Sequence, residues 1–501
     1  MRIVSKSLFC ASAGVSTVGR TARARPASRL PAMVGAALLA SVIATPAAFA
    51  QCSGEIGAPG IGGFSPADLV PLARGGAVNS LVSVLNTVNT AFLGQTTAFI
   101  SSPAEPKPDQ QGGGVWSRAI GGSTTSVNTG TLTVVDLPGT VVCKSATKQD
   151  FGGIQVGADI SRLNFGGGGG NLHIGVTTGF FDSHSKEVTP GATFKSEFQV
   201  PFAGIYAAYT LGSFFADGQV RADLYRGQLS DTDNGLFGQS LNAKGLSVTG
   251  NMGYRFDLGS NWFIEPSIGG VYSKVQVDPL NVAGTFALAS SPFFGPPGTI
   301  KIDDIDSLLG RASVRVGTSF QSGNFVLSPF VTASVYREFA GDVKTRFTSC
   351  FGALINQNCG FFGPELSGSS TTTRVGTYGQ FALGLASQVL DTGWGGYARI
   401  DYRTGQNIEG LSGNVGLRYQ FNPERSATAD PADARRPAIK TTYDWSGPYA
   451  GVSAGRVYGE VDRVYDLSAS NGFGPAVNPE YQGYLLGGQA GYNIQLGTLV
   501  V

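Results

Sequence analysis

Phe214-Phe215-Ala216-Asp217-Gly218-Gln219-Val220-Arg221-Ala222-Asp223-Leu224-Tyr225 decides the fold. Every second residue is apolar or small: Phe214, Ala216, Gly218, Val220, Ala222 and Leu224 fall on one face. Asp217, Gln219, Arg221, Asp223 and Tyr225 fall on the other. A period of two is a strand between two environments. The pattern recurs. Trp262, Ile264, Pro266, Ile268 and Tyr272 oppose Glu265, Ser267 and Ser273, and Ala312, Val314, Val316 and Phe320 oppose Arg311, Ser313 and Arg315. Ala398, Ile400 and Tyr402 oppose Arg399, Asp401 and Arg403, and Val415, Leu417, Tyr419 and Phe421 oppose Asn414, Arg418 and Gln420.

A soluble sandwich turns such an apolar face inward, whereas a membrane barrel turns it toward lipid and the polar face into a lumen. Three features favour the barrel. The segments are long for globular strands. Trp116, Trp262, Tyr254, Phe256, Tyr419 and Phe421 sit at strand ends, where an interfacial girdle belongs. The polar face carries charges of both signs, which suits water. Strand-like segments start near Val115, Gly152, Asn171, Phe198, Ser213, Leu246, Trp262, Leu308, Phe325, Thr377, Gly395 and Gly410. The reading is an all-β transmembrane antiparallel barrel of about 12 strands, an even number as a single-chain barrel needs. Short connections such as Leu258 to Asn261 and Gln321 to Asn324 are expected as periplasmic turns. Long polar ones, Thr125 to Lys148, Asp278 to Asp306 and Gly341 to Thr373, are expected as external loops.

Composition agrees. The 501 residues hold 73 Gly and only 14% charged residues, with net charge +1. Near-neutral charge argues against electrostatic binding of nucleic acid. Mean hydropathy is only +0.06, which is no bundle of apolar helices, and beyond residue 50 no apolar run is long enough to span as a helix.

Residues 1–50 read as a signal peptide. Arg2, Lys6, Arg20, Arg23, Arg25 and Arg29 precede an apolar run from Met33 to Ile43, then Ala-Phe-Ala ending at Ala50. Residues 51–112 hold a Gly/Pro-rich stretch, a helix over 76–100 and a linker. In that helix Val78, Leu81, Val82, Leu85, Val88 and Phe92 follow helical spacing. Asn79, Ser83, Asn86, Asn89 and Thr90 form a polar face without charge, which predicts a helix that is not freely solvated. The barrel follows over 113–421, then a Pro/Ala-rich linker over 422–442. Strand chemistry resumes over 443–501.

The stretch from Gly113 to Phe421 resembles an autotransporter β-domain. The resemblance is carried by Val115-Trp116-Ser117-Arg118, Gly153-Ile154-Gln155-Val156-Gly157-Ala158-Asp159, Tyr254-Arg255-Phe256, Trp262-Phe263-Ile264-Glu265-Pro266, Ser307-Leu308-Leu309-Gly310-Arg311 and the closing Gly416-Leu417-Arg418-Tyr419-Gln420-Phe421. It implies a twelve-stranded barrel with an α-helix in its lumen, where residues 76–100 belong. It also implies that Leu417, Tyr419 and Phe421 form the signal read by the outer-membrane barrel assembly machinery after Sec export. The protein is then an outer-membrane translocator or surface structural protein; a passive porin-like channel and a loop-based adhesin are the alternatives. Only residues 51–75 are available for a passenger. The stretch from Tyr443 resembles the opening of small porin-family outer-membrane barrels of α-proteobacteria. The expected partner is outer-membrane lipid, and the barrel is expected to be a monomer.

Chemistry is sparse. Two histidines, His173 and His184, are too few to converge into a zinc site or catalytic triad, so no enzyme activity, metal or cofactor is expected. His173 falls on the lumen face beside Gly175 and Thr177. Gly166 to Gly170 precedes a strand, not a helix, and reads as a hairpin connection, not a phosphate loop. Cys350 and Cys359 share one long loop and are the first candidates for a disulfide in an oxidising compartment; Cys52 and Cys143 are a second. Asp217, Arg221, Asp223, Glu265, Arg311, Arg315, Arg399, Asp401, Arg403 and Arg418 are expected to face the lumen. They either pair with one another and with the helix or form a charged constriction. In an open pore their arginine excess predicts a weak anion preference.

Overall fold

The computed structural model describes residues 52–54, 73–93, 106–135, 138–231, 236–282, 298–350, 365–390, 392–421, 447–460, 480–493, 495–496 and 499–500. The segments read as signal peptide and 422–442 linker lie outside these residues.

Twelve strands close a ring. They are β1 (Gln110–Val134), β2 (Val141–Phe165), β3 (Gly170–Glu187), β4 (Lys195–Leu211), β5 (Phe214–Asp231) and β6 (Leu236–Tyr254). β7 (Trp262–Val277), β8 (Ile305–Thr318), β9 (Phe325–Glu338), β10 (Thr377–Val389), β11 (Trp394–Gly405) and β12 (Ile408–Phe421) complete it. Each pairs antiparallel with the next, and β12 returns to β1 from Ile408↔Ser126 to Phe421↔Gly113. Closure removes the free edges that could not stand in lipid.

Alternation holds along every strand, and it changes meaning part-way up. On β5, Val220, Ala222 and Leu224 point out while Gln219, Arg221 and Asp223 are buried inside. Two residues further the sides exchange: Arg226 and Gln228 are outside, and Tyr225 and Leu229 are inside. On β3, Ile174, Val176 and Phe180 point out, followed by Asp182, His184 and Lys186, while the inner face carries Phe181 between Thr177 and Ser183. The apolar band therefore has an upper edge, near Phe180, Leu224, Leu246 and Tyr272. Its lower edge carries Tyr254, Phe256, Trp262 and Phe421, all exposed. From Trp262 to Tyr272 along one tilted strand is about 25 Å of barrel height, the thickness of an outer-membrane apolar band.

Above that band the strands go on. Thr125 to Lys148, expected as a loop, is mostly strand, because β1 runs to Val134 and β2 begins at Val141. β6 likewise begins at Leu236, ahead of the expected Leu246. The expected loops over 278–306 and 341–373 contain Leu280–Val282, Gly298–Ile302, Val343–Cys350 and Glu365–Thr372, which pair into the same sheet. Outside lipid neither face need be apolar, so Ser/Thr-rich strands there lose the lipid-facing pattern and read as loop. The expected short turns at 258–261 and 321–324 do close hairpins, as does 166–169.

Trp116 corrects another expectation. It lies on the inner face with Gly114 and Arg118, not in the girdle, and its indole N–H donates to the Tyr206 hydroxyl at 2.7 Å. The ring needs room there, which its cross-strand partner Gly157 supplies: a Cβ at Gly157 would stand 2.5 Å from the indole. The same inward aromatic-on-glycine pairing joins Phe330 to Gly384 and Phe198 to Gly227. Here lies one physical use of a glycine-rich composition.

Residues 447–460 and 480–493 form a separate two-stranded antiparallel ladder.

Candidate functional site

One helix occupies the upper lumen. It is α1, Gly76–Leu93, which stops short of the expected residue 100; residues 94–100 lie outside those described. Val78, Leu81, Val82, Leu85 and Val88 are buried, and they pack on the inward aromatic and aliphatic residues that begin where the wall inverts, among them Phe181, Phe198, Val200, Tyr225, Leu229 and Val275. The side chain of Phe92 is outside the described set.

Much of the uncharged polar face is met by hydroxyls and amides of the wall. Asn79 Nδ2 donates to Ser145 Oγ at 2.7 Å, Ser83 and Ser126 share a hydrogen bond of 3.0 Å, and Thr87 donates to Gln149 Oε1 at 2.9 Å. Thr90 meets Tyr378 at 3.0 Å. Asn89 Oδ1 accepts from Ser273 at 3.0 Å and from Arg221 at 3.4 Å. A charged face would need buried counter-charges; hydroxyls and amides need only each other. Below, Leu93 closes the helix end against Val271, Leu309, Tyr336 and Tyr378, the two tyrosine rings stacked at 5.2 Å.

Beneath α1 the lumen is ionic. All ten expected lumen charges point inward. Arg221 is clamped on Asp223, Arg315 on Glu265 at 3.0 Å, and Arg399 on Asp401 at 3.0 Å. Asp401 also accepts from Gln380 and Asn414, and Arg403 donates to Gln380. Asn251 bridges Asp217 and Arg311. These charges pair laterally with one another, and among the described contacts Arg221 is the one that bonds to the helix.

A further node centres on Asp159, which was not among the expected charges, and on Arg418, which was. Asp159 accepts two hydrogen bonds from Arg418, at 2.8 and 2.9 Å, one from Tyr206 at 2.8 Å, and its Oδ1 lies 3.0 Å from His173 Nδ1. Arg118, also inward, donates to Gln155. The inward parity of Gln155, Gly157 and Asp159 was the signal that would have found Asp159. His173, fully buried, is thus one of several donors around a carboxylate. At the short-turn mouth a cavity of about 320 Å³ opens, lined by Arg255, Glu265, Arg315, Arg418 and the rings of Phe215, Phe263 and Phe330. Among the described residues no group of His, Cys, Asp or Glu is arranged to hold a metal ion.

At the opposite end Cys52 and Ser53 pair with Cys143 and Val142 of β2, and Cys52 and Cys143 form a disulfide. The other candidate pair falls outside the description: Cys359 is not described, nor is the Cys350 side chain.

Comparison with known proteins follows the same lines. The family that matches residues 115–389 is the autotransporter β-domain. The chain belongs to that family. The probable autotransporter YcgV of Escherichia coli strain K12 is 27% identical to this β-domain chain over 315 residues, covering 62% of it and 28% of that protein. The BrkA autotransporter of Bordetella pertussis is 25% identical over 284 residues, covering 55% and 24%. The chain thus spans less than a third of the length of these curated relatives. Among solved structures, the β domain of Bordetella BrkA is 19% identical, covering 61% of this chain and 98% of that one with TM-score 0.40. The transport unit of Escherichia coli AIDA-I is 14% identical, covering 68% and 97% with TM-score 0.46.

Proposed function

We propose that this β-domain is the outer-membrane translocator unit of an autotransporter, held after translocation in a plugged state. One observation carries the reading: the chain threads its own barrel. Cys52–Ser53 is bound at the long-loop end, α1 lies in the lumen, and Pro106 accepts a hydrogen bond from Asn164 at the short-turn end, where β1 begins. Residues 52–53 therefore stand at the opposite end of the barrel from the strand termini Gln110 and Phe421. With the short turns in the periplasm, that side is the cell surface.

The proposal includes export through a cleaved signal within residues 1–50, and insertion by the barrel assembly machinery acting on Leu417, Tyr419 and Phe421. Leu417 and Phe421 stand exposed on the outer face of the last strand, where a receptor meets them before closure. We assign the barrel no enzymatic role of its own, a monomeric state, and lipid as its surrounding partner. For residues 443–501 the likeness to small porin-family barrels is retained as a proposal.

The test is single-channel conductance of the refolded chain in planar bilayers, with and without residues 76–93. Near-zero conductance that rises on deletion of the helix is expected. Stable conductance of the intact chain would replace this reading with that of a porin-like channel.

A further inference from the structure

The outer face of the barrel carries cations at one particular height. On β5, β6 and β7 the last exposed apolar residues of the band are Leu224, Leu246 and Tyr272. The next outward residues are Arg226, Lys244 and Lys274, all exposed. Three neighbouring strands thus place a positive charge immediately above the hydrocarbon edge.

Their surroundings differ. Lys274 is register partner of Asp306 and lies 3.8 Å from Asp304, so it is already answered. Arg226 stands opposite Gln199 and Asn242, and Lys244 opposite Leu224 and Gln276. Neither has an acidic partner among the described residues. The two are diagonal cross-strand neighbours, about 7 Å apart by sheet geometry. Two like charges at that spacing repel unless an anion lies between them, and the flanking Gln199, Asn242 and Gln276 supply amide donors.

We propose that Arg226 and Lys244 hold a phosphate of a phosphorylated outer-leaflet lipid, its acyl chains lying on Val220, Leu224, Leu246 and Val248 directly below. The headgroup assignment follows from height: a phosphate bound here sits where hydrocarbon ends, with its own chains on the same strands. Charge-assisted contacts from a guanidinium and an ammonium are the strong kind. The inference rests on the long-loop end facing outward.

The test uses the full chain in phosphatidylcholine nanodiscs, with phosphorylated lipid A as probe and native mass spectrometry plus thermal shift as readouts. The Arg226→Gln/Lys244→Gln variant is expected to retain lipid A at least about tenfold more weakly than wild type, with unchanged folding by gel mobility. Lys148→Gln/Lys186→Gln removes equal charge higher on the wall and is expected to bind as wild type. Equal retention by wild type and the first variant would overturn the proposal, as would equal loss in both variants or equal binding of lipid A stripped of phosphate. A shift of the same size with inorganic phosphate at matched concentration would overturn the lipid assignment. Orientation is read separately by labelling Gln228→Cys on intact cells with an impermeant maleimide. Absence of label would fail the outward reading, while the nanodisc result still decides the phosphate site.

Discussion

Arg418 of the last strand grips Asp159 of the second across the first, passing over Gly114. The guanidinium makes two parallel bonds of 2.8 and 2.9 Å, and a Cβ at Gly114 would stand 2.9 Å from its Nη2. The pair spans the seam where β12 meets β1, so it ties the end of the ring to its beginning independently of the backbone ladder. Both side chains are buried, and breaking such a pair by removing one partner costs about 3–5 kcal/mol. Asp159→Ala is expected to lower stability by that order in urea unfolding from lipid vesicles. Gly114→Val, whose Cβ would crowd the Tyr419 carbonyl oxygen as well as the guanidinium, should also destabilise. Wild-type stability in both would show that the seam does not depend on this contact.

Asn89 joins the plug to the wall. Its Oδ1 serves Ser273 and Arg221 together, both buried. In Asn89→Leu these donors lose their acceptor, which costs about 1–3 kcal/mol. Conductance is the sensitive readout: brief openings are expected that wild type lacks, whereas a silent variant would mean that the apolar face alone retains the helix.

Phe330 lies on the bare backbone of Gly384, where an added Cβ would clash with the ring. Gly384→Ala is expected to cost about 1–3 kcal/mol through overpacking. Phe330→Leu in the same chain should recover part of that loss, because contacting residues couple. Additive losses in the double variant would argue against the pairing.

The Cys52–Cys143 disulfide closes a loop that contains α1. Reduction, or Cys52→Ser, is expected to leave the ring strands intact while lowering the temperature at which the helix undocks. Trypsin cleavage at Arg74, which is partly buried against Glu187, reports undocking. Identical cleavage with and without the disulfide would show that the helix is held by packing alone.

Much of the ring was legible because lipid imposes one rule on the outer face. Val220, Ala222 and Leu224 alternate with Arg221 and Asp223, and nothing but a two-sided wall explains them. The helix was legible too, its uncharged polar face pointing to an enclosed site. The strand extensions at Thr125–Val134 and Val141–Lys148 were not, since above the lipid the outer face is free to be polar. Trp116 was misjudged because an aromatic at a strand end fits either side of the wall; only the parity with Arg118 separates them. Asp159 was missed because its partners arrive from β3, β4 and β12, which one-dimensional spacing does not bring together.

The exchange of inner and outer polarity at Phe180 and Leu224 sets an order of events. Below it, the interior is occupied by the wall's own ion pairs and hydrogen bonds. Above it, Phe181, Phe198, Tyr225 and Leu229 form an apolar side of the interior that α1 covers, while Ser126, Ser145 and Gln149 meet its polar face. That upper storey is a water-soluble protein standing on a membrane protein, and it has no centre until the helix has arrived. In the orientation proposed above, the core of this collar is complete when α1 is seated. A barrel caught before its helix is seated would leave Phe181, Phe198 and Tyr225 uncovered and open to an apolar dye.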